Sequence, residues 1–384
     1  MFDEELVKLK ENGLYRHLRA QTYLSPNIAL IEGREVILFS GNDYIGFSSH
    51  PKIKQAACEA IAKYGTSAGA SRLISGNNEL YRTLEMALAE FKGKEAALVF
   101  PTGYHANLSL LTVLATKNDV IYMDKLSHAS LYDGCLLSGA ILRRYRHNDL
   151  NHLENLLAGE ASSGRPFIVT EGVFSMDGDL APLPGLKNLA DNYGCLLLVD
   201  DAHGTGVLGL DGQGTSDHCG IKLEIEMGTL SKALGGLGGY VAGDQGLINF
   251  LINRARPFIF TTGLPPATLA GAKAAIELIA KEPWRRERVL NLAKRVRKIL
   301  KETGYNIPHG FSPIVPIILG GEEQALALAK HCLKKGLFIP AIRTPAVPKN
   351  QARLRMTLSA LHSDKEVEQA LEILTSAGKE LELI

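Results

Sequence analysis

The sequence predicts an α/β fold, with a mostly parallel central sheet flanked by helices and a smaller C-terminal α+β domain. Three observations predict it. Short apolar, β-branched runs alternate with stretches of helical periodicity through the first two thirds of the chain. Near residue 281 the pattern changes to a long basic helix followed by further apolar runs. The length, 384 residues, also exceeds the roughly 250–300 at which a single core stops growing.

The apolar runs are AALVF (96–100), VIYMD (120–124), FIVTEGVF (167–174), CLLLVDD (195–201) and GGYVAG (238–243). Runs this short, separated by crossover-length segments, suit strands covered on both faces. NNELYRTLEMALAEFKG (77–93) places apolar residues at helical spacing and closes on glycine, as helix ends often do. EPWRRERVLNLAKRVRKILKETG (282–304) reads as one long basic helix; PIVPIIL, a further helix, GLFIPAI and RLRMTLSALH follow. Pro265, Pro266 and Pro283 punctuate the approach to it. The expected division is an N-terminal segment 1–45, a large domain 46–280 and a small domain 281–384.

Lys+Arg 42 against Asp+Glu 41 gives a formal charge of +1, so neither nucleic acid nor an anionic membrane is an expected partner. The five cysteines are odd in number and scattered, with no C-x-x-C pair, which points to neither a disulfide framework nor a metal site. The N-terminus lacks the apolar core of a signal peptide and no segment reaches membrane-spanning length. A soluble, unprocessed, cytoplasmic protein is expected.

Ligands bind open α/β sheets at the C-terminal ends of their strands, and five stretches put chemistry there. CLLLVDD delivers Asp200 and Asp201, with His203 close behind. A buried carboxylate is costly unless a cation meets it, and a protonated pyridine nitrogen would supply one; capping the next turn or pairing with an arginine is the plainer alternative. In EMGTLSKALGGLGGY, Lys232 lies between Thr229 and a glycine cluster. Small neighbours let a flat ring approach, and a desolvated lysine forms imines; alone, it is equally a solvated surface lysine. FPTGYHANLSLL runs from a strand through Gly103 into a helix, the arrangement whose free N–H groups bind phosphate, although many α/β proteins share that order without a ligand. His128 in DKLSHASLYDG, and Glu171 and Ser175 in TEGVFSMDGD, fall on neighbouring strand-end loops; a lone histidine is otherwise usually structural. GTGVLG (204–209) matches the dinucleotide pattern G-x-G-x-x-G, yet DDAH separates it from the strand and the following LDGQGTSDHCG is too rich in Gly and Asp for the required helix.

Taken together, VDDAHGTGVLG, GTLSKALGG, DKLSHAS and TEGVFSMDGD resemble the α-oxoamine synthases, a family of fold-type-I, aspartate-aminotransferase-like pyridoxal-phosphate enzymes. GNDYIGFSSHP (41–51), SRLISGNNELYRTLE (71–85), RYRHND (144–149) and IRTPAVP (342–348) extend the resemblance over nearly the whole chain. It implies pyridoxal 5'-phosphate bound to Lys232 as a Schiff base, with Asp200 at the pyridine nitrogen and His203 and Ser175 around the phenolic oxygen. His128 would stack on the ring, while the Gly103 and Tyr104 amides and the Thr229 hydroxyl would hold the phosphate. Glu171 and Asn42 would support this shell, and Asn42 and His128 would also meet substrate. Thr262 and the SAGASR loop (67–72) would reach a neighbouring subunit's cofactor in a homodimer. Arg343 would take the substrate carboxylate, with Arg353 and Arg355 as rivals; Arg16, or Arg19 after a slip in alignment, would meet the acyl substrate. Ala346 replaces a threonine frequent in the family.

The activity implied is the decarboxylative condensation of an amino acid with an acyl thioester, both small molecules. Within the family the wording resembles most the biotin-pathway member that joins L-alanine to a pimeloyl thioester; a glycine-acetylating member is the nearest alternative. An NAD-dependent oxidoreductase using GTGVLG is the competing reading from another class.

Overall fold

The computed structural model describes residues 2–11, 14–159 and 164–384. They fall into two compact units, one of residues 42–291 with 310–313, the other of residues 1–41, 292–309 and 314–384.

The larger unit is built on a seven-stranded sheet in the spatial order Ala96–Phe100, Gly239–Gly243, Glu226–Thr229, Leu196–Asp200, Pro166–Glu171, Val120–Asp124, Ile141–Tyr145. Gly239–Gly243 runs antiparallel to both of its neighbours and every other pairing is parallel. The sheet is buried on both faces, which is why its strands read as apolar runs rather than as an alternation. Ile121 and Met123 pack on one face with Leu98, Phe100 and the helix Gly103–Leu114; Val120 and Tyr122 pack on the other with Leu183 and Leu186 of the helix Leu183–Tyr193. FIVTEGVF stops as a strand at Glu171, after which Val173 pairs back on Leu180 and turns the chain. Ile141–Tyr145 carries two arginines and is mostly exposed on the sheet's edge, so it has no apolar signature.

The smaller unit holds two further sheets. Ile314–Gly320, Ala352–Thr357 and Ala341–Ile342 form an antiparallel one, and Gln21–Ser25, Ile28–Ile31 and Arg34–Leu38 form a meander. Leu337–Phe338 joins that meander by parallel pairing with Arg34–Leu38. GLFIPAI is thus divided between two sheets. No helix among the described residues is long and apolar enough to cross a membrane.

Candidate active site

Asp200 closes a strand buried to its last residue and is itself 7% exposed. Its Oδ1 accepts the Ala202 N–H at 2.9 Å and its Oδ2 accepts a proton from Asn107 Nδ2 at 2.7 Å. Asn107 gives its other amide proton to Ser130 Oγ at 2.8 Å, and Ser130 Oγ lies 2.8 Å from His128 Nδ1. The Ser130 backbone N–H also meets His128 Nδ1, at 3.2 Å. An N–H can only donate, so Nδ1 is the acceptor and the ring's proton sits on Nε2. Burial holds the His128 pKa below its usual 6.5; Asp200 pulls it up and the Lys232 charge pushes it down. The ring is therefore mostly neutral at pH 7.

Glu171 ends the adjacent strand at 3% exposure. Burial, then the Asp200 charge, push its pKa up to about 8, against the Lys232 charge and the backbone N–H groups of His128 and Ser175. Its Oε1 is buried without a hydrogen-bond partner among the described residues. Lys232, half-buried, thus acts electrostatically on both His128 and Glu171.

The lysine sits on a compact loop beyond Glu226–Thr229. Leu230 N–H donates to Gly238 O at 2.9 Å, and Gly235 N–H to Lys232 O at 2.9 Å. Gly235 has φ +66°, and a Cβ there would stand 2.4 Å from Ser48 N, so both its conformation and its neighbours demand glycine. The helix Gly103–Leu114 opens nearby, capped by Thr102 Oγ1 on the His105 N–H at 3.2 Å. The Gly103 and Tyr104 N–H groups come before the first intrahelical bond. Thr229 lies beside them, since a Cβ built on Gly103 would be 3.5 Å from Thr229 Oγ1. Its hydroxyl proton goes to Gly238 O at 2.7 Å, so a phosphate here would have to win that proton from a carbonyl. The Tyr104 hydroxyl donates to Asp133.

His203 Nδ1 lies 2.6 Å from the hydroxyl of fully buried Tyr44, which also reaches Asn42 Oδ1 at 3.1 Å. Asn42 and His203 are therefore joined through Tyr44. The GTGVLG segment between Gly204 and Gly209 forms successive turns and no helix. Asp201 grips it, accepting from Thr205 Oγ1 at 2.9 Å and from the Thr215 hydroxyl, so the segment lacks the helix N-terminus on which a dinucleotide pyrophosphate rests. Thr262 pairs with Ser71 across an antiparallel bridge, and Gly263 N–H donates to Ala70 O at 3.0 Å. The FTTGLPP and SAGASR loops lie together.

In the smaller unit, Arg16, Arg19, Arg343 and Ala346 line one cleft of about 800 Å³. Arg19 Nε is 3.5 Å from Glu32 Oε1. Arg353 and Arg355 are buried at 2% and 6% exposure within the strand Ala352–Thr357.

Three site residues escape a reading of the sequence: Asn107, Ser130 and Tyr44. Asn107 had a signal, being a polar residue among the inward positions Ala106, Leu110 and Leu111 of an apolar helix. Tyr44 lies within GNDYIGFSSHP, but nothing in that motif names its partner His203, 159 residues away.

A family model described as aminotransferase class I and II matches residues 34–374. The chain is 48% identical over 384 residues to an 8-amino-7-oxononanoate synthase of Geobacter sulfurreducens, covering 99% of this chain and 98% of that one. It is similar in structure to a serine palmitoyltransferase of Sphingomonas wittichii, with a TM-score of 0.94 and 35% identity over 100% of this chain and 97% of that one. A structure described as SPT with PLP internal aldimine matches with a TM-score of 0.95 at 32% identity, covering 100% and 98%. A sheet edge that gathers Asp200, His128, Glu171 and the Lys232 charge thus occurs within a match spanning most of the sequence, and the chain belongs to the aminotransferase class I and II family.

Proposed function

We propose that this chain is a pyridoxal 5'-phosphate-dependent α-oxoamine synthase that condenses L-alanine with a pimeloyl thioester, releasing carbon dioxide and the thiol carrier, to form 8-amino-7-oxononanoate in biotin synthesis. The observation that carries the reading is the hydrogen-bonded line from buried Asp200 through Asn107 and Ser130 to His128, with Glu171 paired beside Asp200 on the next strand and the Lys232 charge bearing on both His128 and Glu171. The full-length similarity to 8-amino-7-oxononanoate synthases supports the substrate pair.

The residues present fit the cofactor. Asp200 is a buried carboxylate with two donors, which suits a cationic ring nitrogen. The first N–H groups of the helix Gly103–Leu114 suit a phosphate. Bound there, the cofactor supplies an electron sink for negative charge at the amino acid's α-carbon. Asp200 would keep a proton on the ring nitrogen, and His128, neutral with its proton on Nε2, would meet the ring face. Lys232 Nζ, which otherwise holds the cofactor, takes the α-proton and later returns one to the same carbon. His203 and Ser175 would hydrogen-bond the phenolic oxygen; Gly103 and Tyr104, with Thr229 once its proton leaves Gly238 O, would hold the phosphate; Glu171 and Asn42 would back this shell. Arg343 is assigned to the amino acid's carboxylate as a planar bidentate donor, and Arg16 to the acyl substrate.

The protein works as a cytoplasmic homodimer with shared sites in this reading. Ile74 and Phe260, 81% and 71% exposed beside the paired SAGASR and FTTGLPP loops, support a second copy covering that surface. Five free cysteines support a reducing compartment.

The purified protein is expected to absorb visible light and to be trapped on Lys232 by borohydride, with Lys232→Ala abolishing both the adduct and turnover. A colourless protein that binds NAD overturns the reading. Turnover of alanine, glycine and serine against pimeloyl, acetyl, succinyl and long-chain acyl thioesters decides the substrates; activity confined to glycine with acetyl-CoA, or to serine with a long-chain thioester, overturns the assignment to biotin synthesis.

A further inference from the structure

One histidine outside the roles above, His147, is held between two carboxylates. Its Nδ1 lies 3.1 and 3.2 Å from the two oxygens of Asp124, and its Nε2 lies 2.9 Å from Asp179 Oδ2. The ring stands edge-on to Phe174, with centroids 4.4 Å apart. Asp124 is 1% exposed and already accepts the Leu126 N–H at 2.8 Å and the Asn148 N–H at 2.9 Å. Asp179 Oδ2 also accepts from Asn148 Nδ2, at 2.8 Å. Each ring nitrogen has a carboxylate oxygen as its nearest polar partner, the Asn148 Nδ2 donor standing further off at 3.4 Å from Nε2, so each needs a proton of its own, whereas a neutral imidazole has only one. The ring is therefore an imidazolium. Burial opposes that charge, but the hydrogen bonds and charges of Asp124 and Asp179 outweigh it and push the His147 pKa up to about 10.

The two acids belong to the two loops that carry cofactor-facing residues. Asp124 ends its strand and starts the turn to His128, accepting the Ser127 N–H at 3.1 Å through its backbone carbonyl. Asp179 closes the turn that contains Ser175, where Phe174 N–H donates to Asp179 O at 3.0 Å and Gly178 N–H to Phe174 O at 2.8 Å. The same loops deliver the backbone N–H groups of His128 and Ser175 to the Glu171 carboxylate. A tie between Asp124 and Asp179 thus fixes the spacing of both N–H groups around Glu171.

We infer that His147 is a positioning residue, whose imidazolium clamps the His128 loop to the Ser175 loop and thereby sets both side chains for catalysis. Its catalytic consequence rests on the function proposed above; the clamp itself does not. The test compares the full chain as purified with His147→Gln, Asp179→Asn and the double variant, by amide hydrogen exchange and by steady-state kinetics. Exchange over residues 125–131 and 172–180 is expected to rise about 10-fold or more in each variant, while the strand Leu196–Asp200 keeps its protection. The kcat is expected to fall about 10- to 100-fold with the amino-acid KM held within about 2-fold, the pattern of lost positioning rather than lost binding. The double variant should be no worse than either single one, because both break one clamp. Loops that exchange like the wild type, loops that loosen without loss of kcat, or single losses that multiply in the double variant each overturn the inference. Should His147→Gln not fold, Asp179→Asn, altered on a loop, decides alone. A wild-type chain without turnover overturns the proposed function instead, and exchange alone then decides the clamp.

Discussion

Asn107 ties two parts of the site together with one amide. Its two protons go to Asp200 and to Ser130, the residue that fixes the tautomer of His128. Asn107→Ala removes a charge-assisted bond from a buried carboxylate, worth about 1.5–3 kcal/mol. The expected result is a loss of about 10-fold or more in pyridoxal-phosphate affinity, measured by titrating the visible band, with a smaller change in the unfolding midpoint. Unchanged affinity would show that Asp200 is held by the Ala202 N–H alone. The strand-end placing of Asp200, His128 and Glu171 was legible in the sequence. The tautomer of His128 and the hydrogen bonding of Asp200 were not, because those depend on Asn107 and Ser130, which stand 93 and 70 residues from Asp200 along the chain (200 − 107 and 200 − 130).

At the scale of the element, the start of the helix Gly103–Leu114 rests against the one antiparallel strand of the sheet. A Cβ on Gly239 would stand 2.5 Å from Thr102 O and 2.7 Å from Gly103 N, contacts too close for any side chain. Gly239→Ala should therefore shift the helix start rather than simply overpack a core, at a cost of about 1–3 kcal/mol. The expected outcome is weaker binding of free inorganic phosphate and of pyridoxal phosphate, read by calorimetry, with a lowered denaturation midpoint. Wild-type phosphate binding in that variant would remove Gly103 from the anion site. The five apolar runs mark strands because burial on both faces demands uniform apolarity, and each lies on an observed strand. Ile141–Tyr145 could not be read this way, since an edge strand with one solvated side tolerates Arg143 and Arg144. The orientation of Gly239–Gly243 was equally hidden; an apolar run reads the same in either direction.

Across the larger unit, the segment after Asp200 is anchored by a buried ion cluster. Lys92, with its side chain fully buried, lies 3.3 Å from Asp201 and 3.0 Å from Glu226 and donates to Gln213 O. Burial alone would lower its pKa, but Tyr240, Asp201 and Glu226 together raise it. Lys92→Met leaves two buried carboxylates facing each other without their cation, and the expected loss is about 3–5 kcal/mol of stability, measured by denaturant unfolding. A loss below about 1 kcal/mol would mean that Lys94, 3.6 Å from Glu226, takes over the charge. The sequence by itself determined the α/β class, the strand-end origin of the site and the candidate Lys232, Asp200, His203, His128 and Gly103, because periodicity and strand-end position are local properties. Only the tertiary structure decided which polar groups face one another. The pairing of Leu337–Phe338 with Arg34–Leu38, the burial of Lys92 against Asp201 and the placing of His147 between Asp124 and Asp179 all join residues distant along the chain. Their energies come from desolvation and mutual distance, quantities that exist only once the chain has folded.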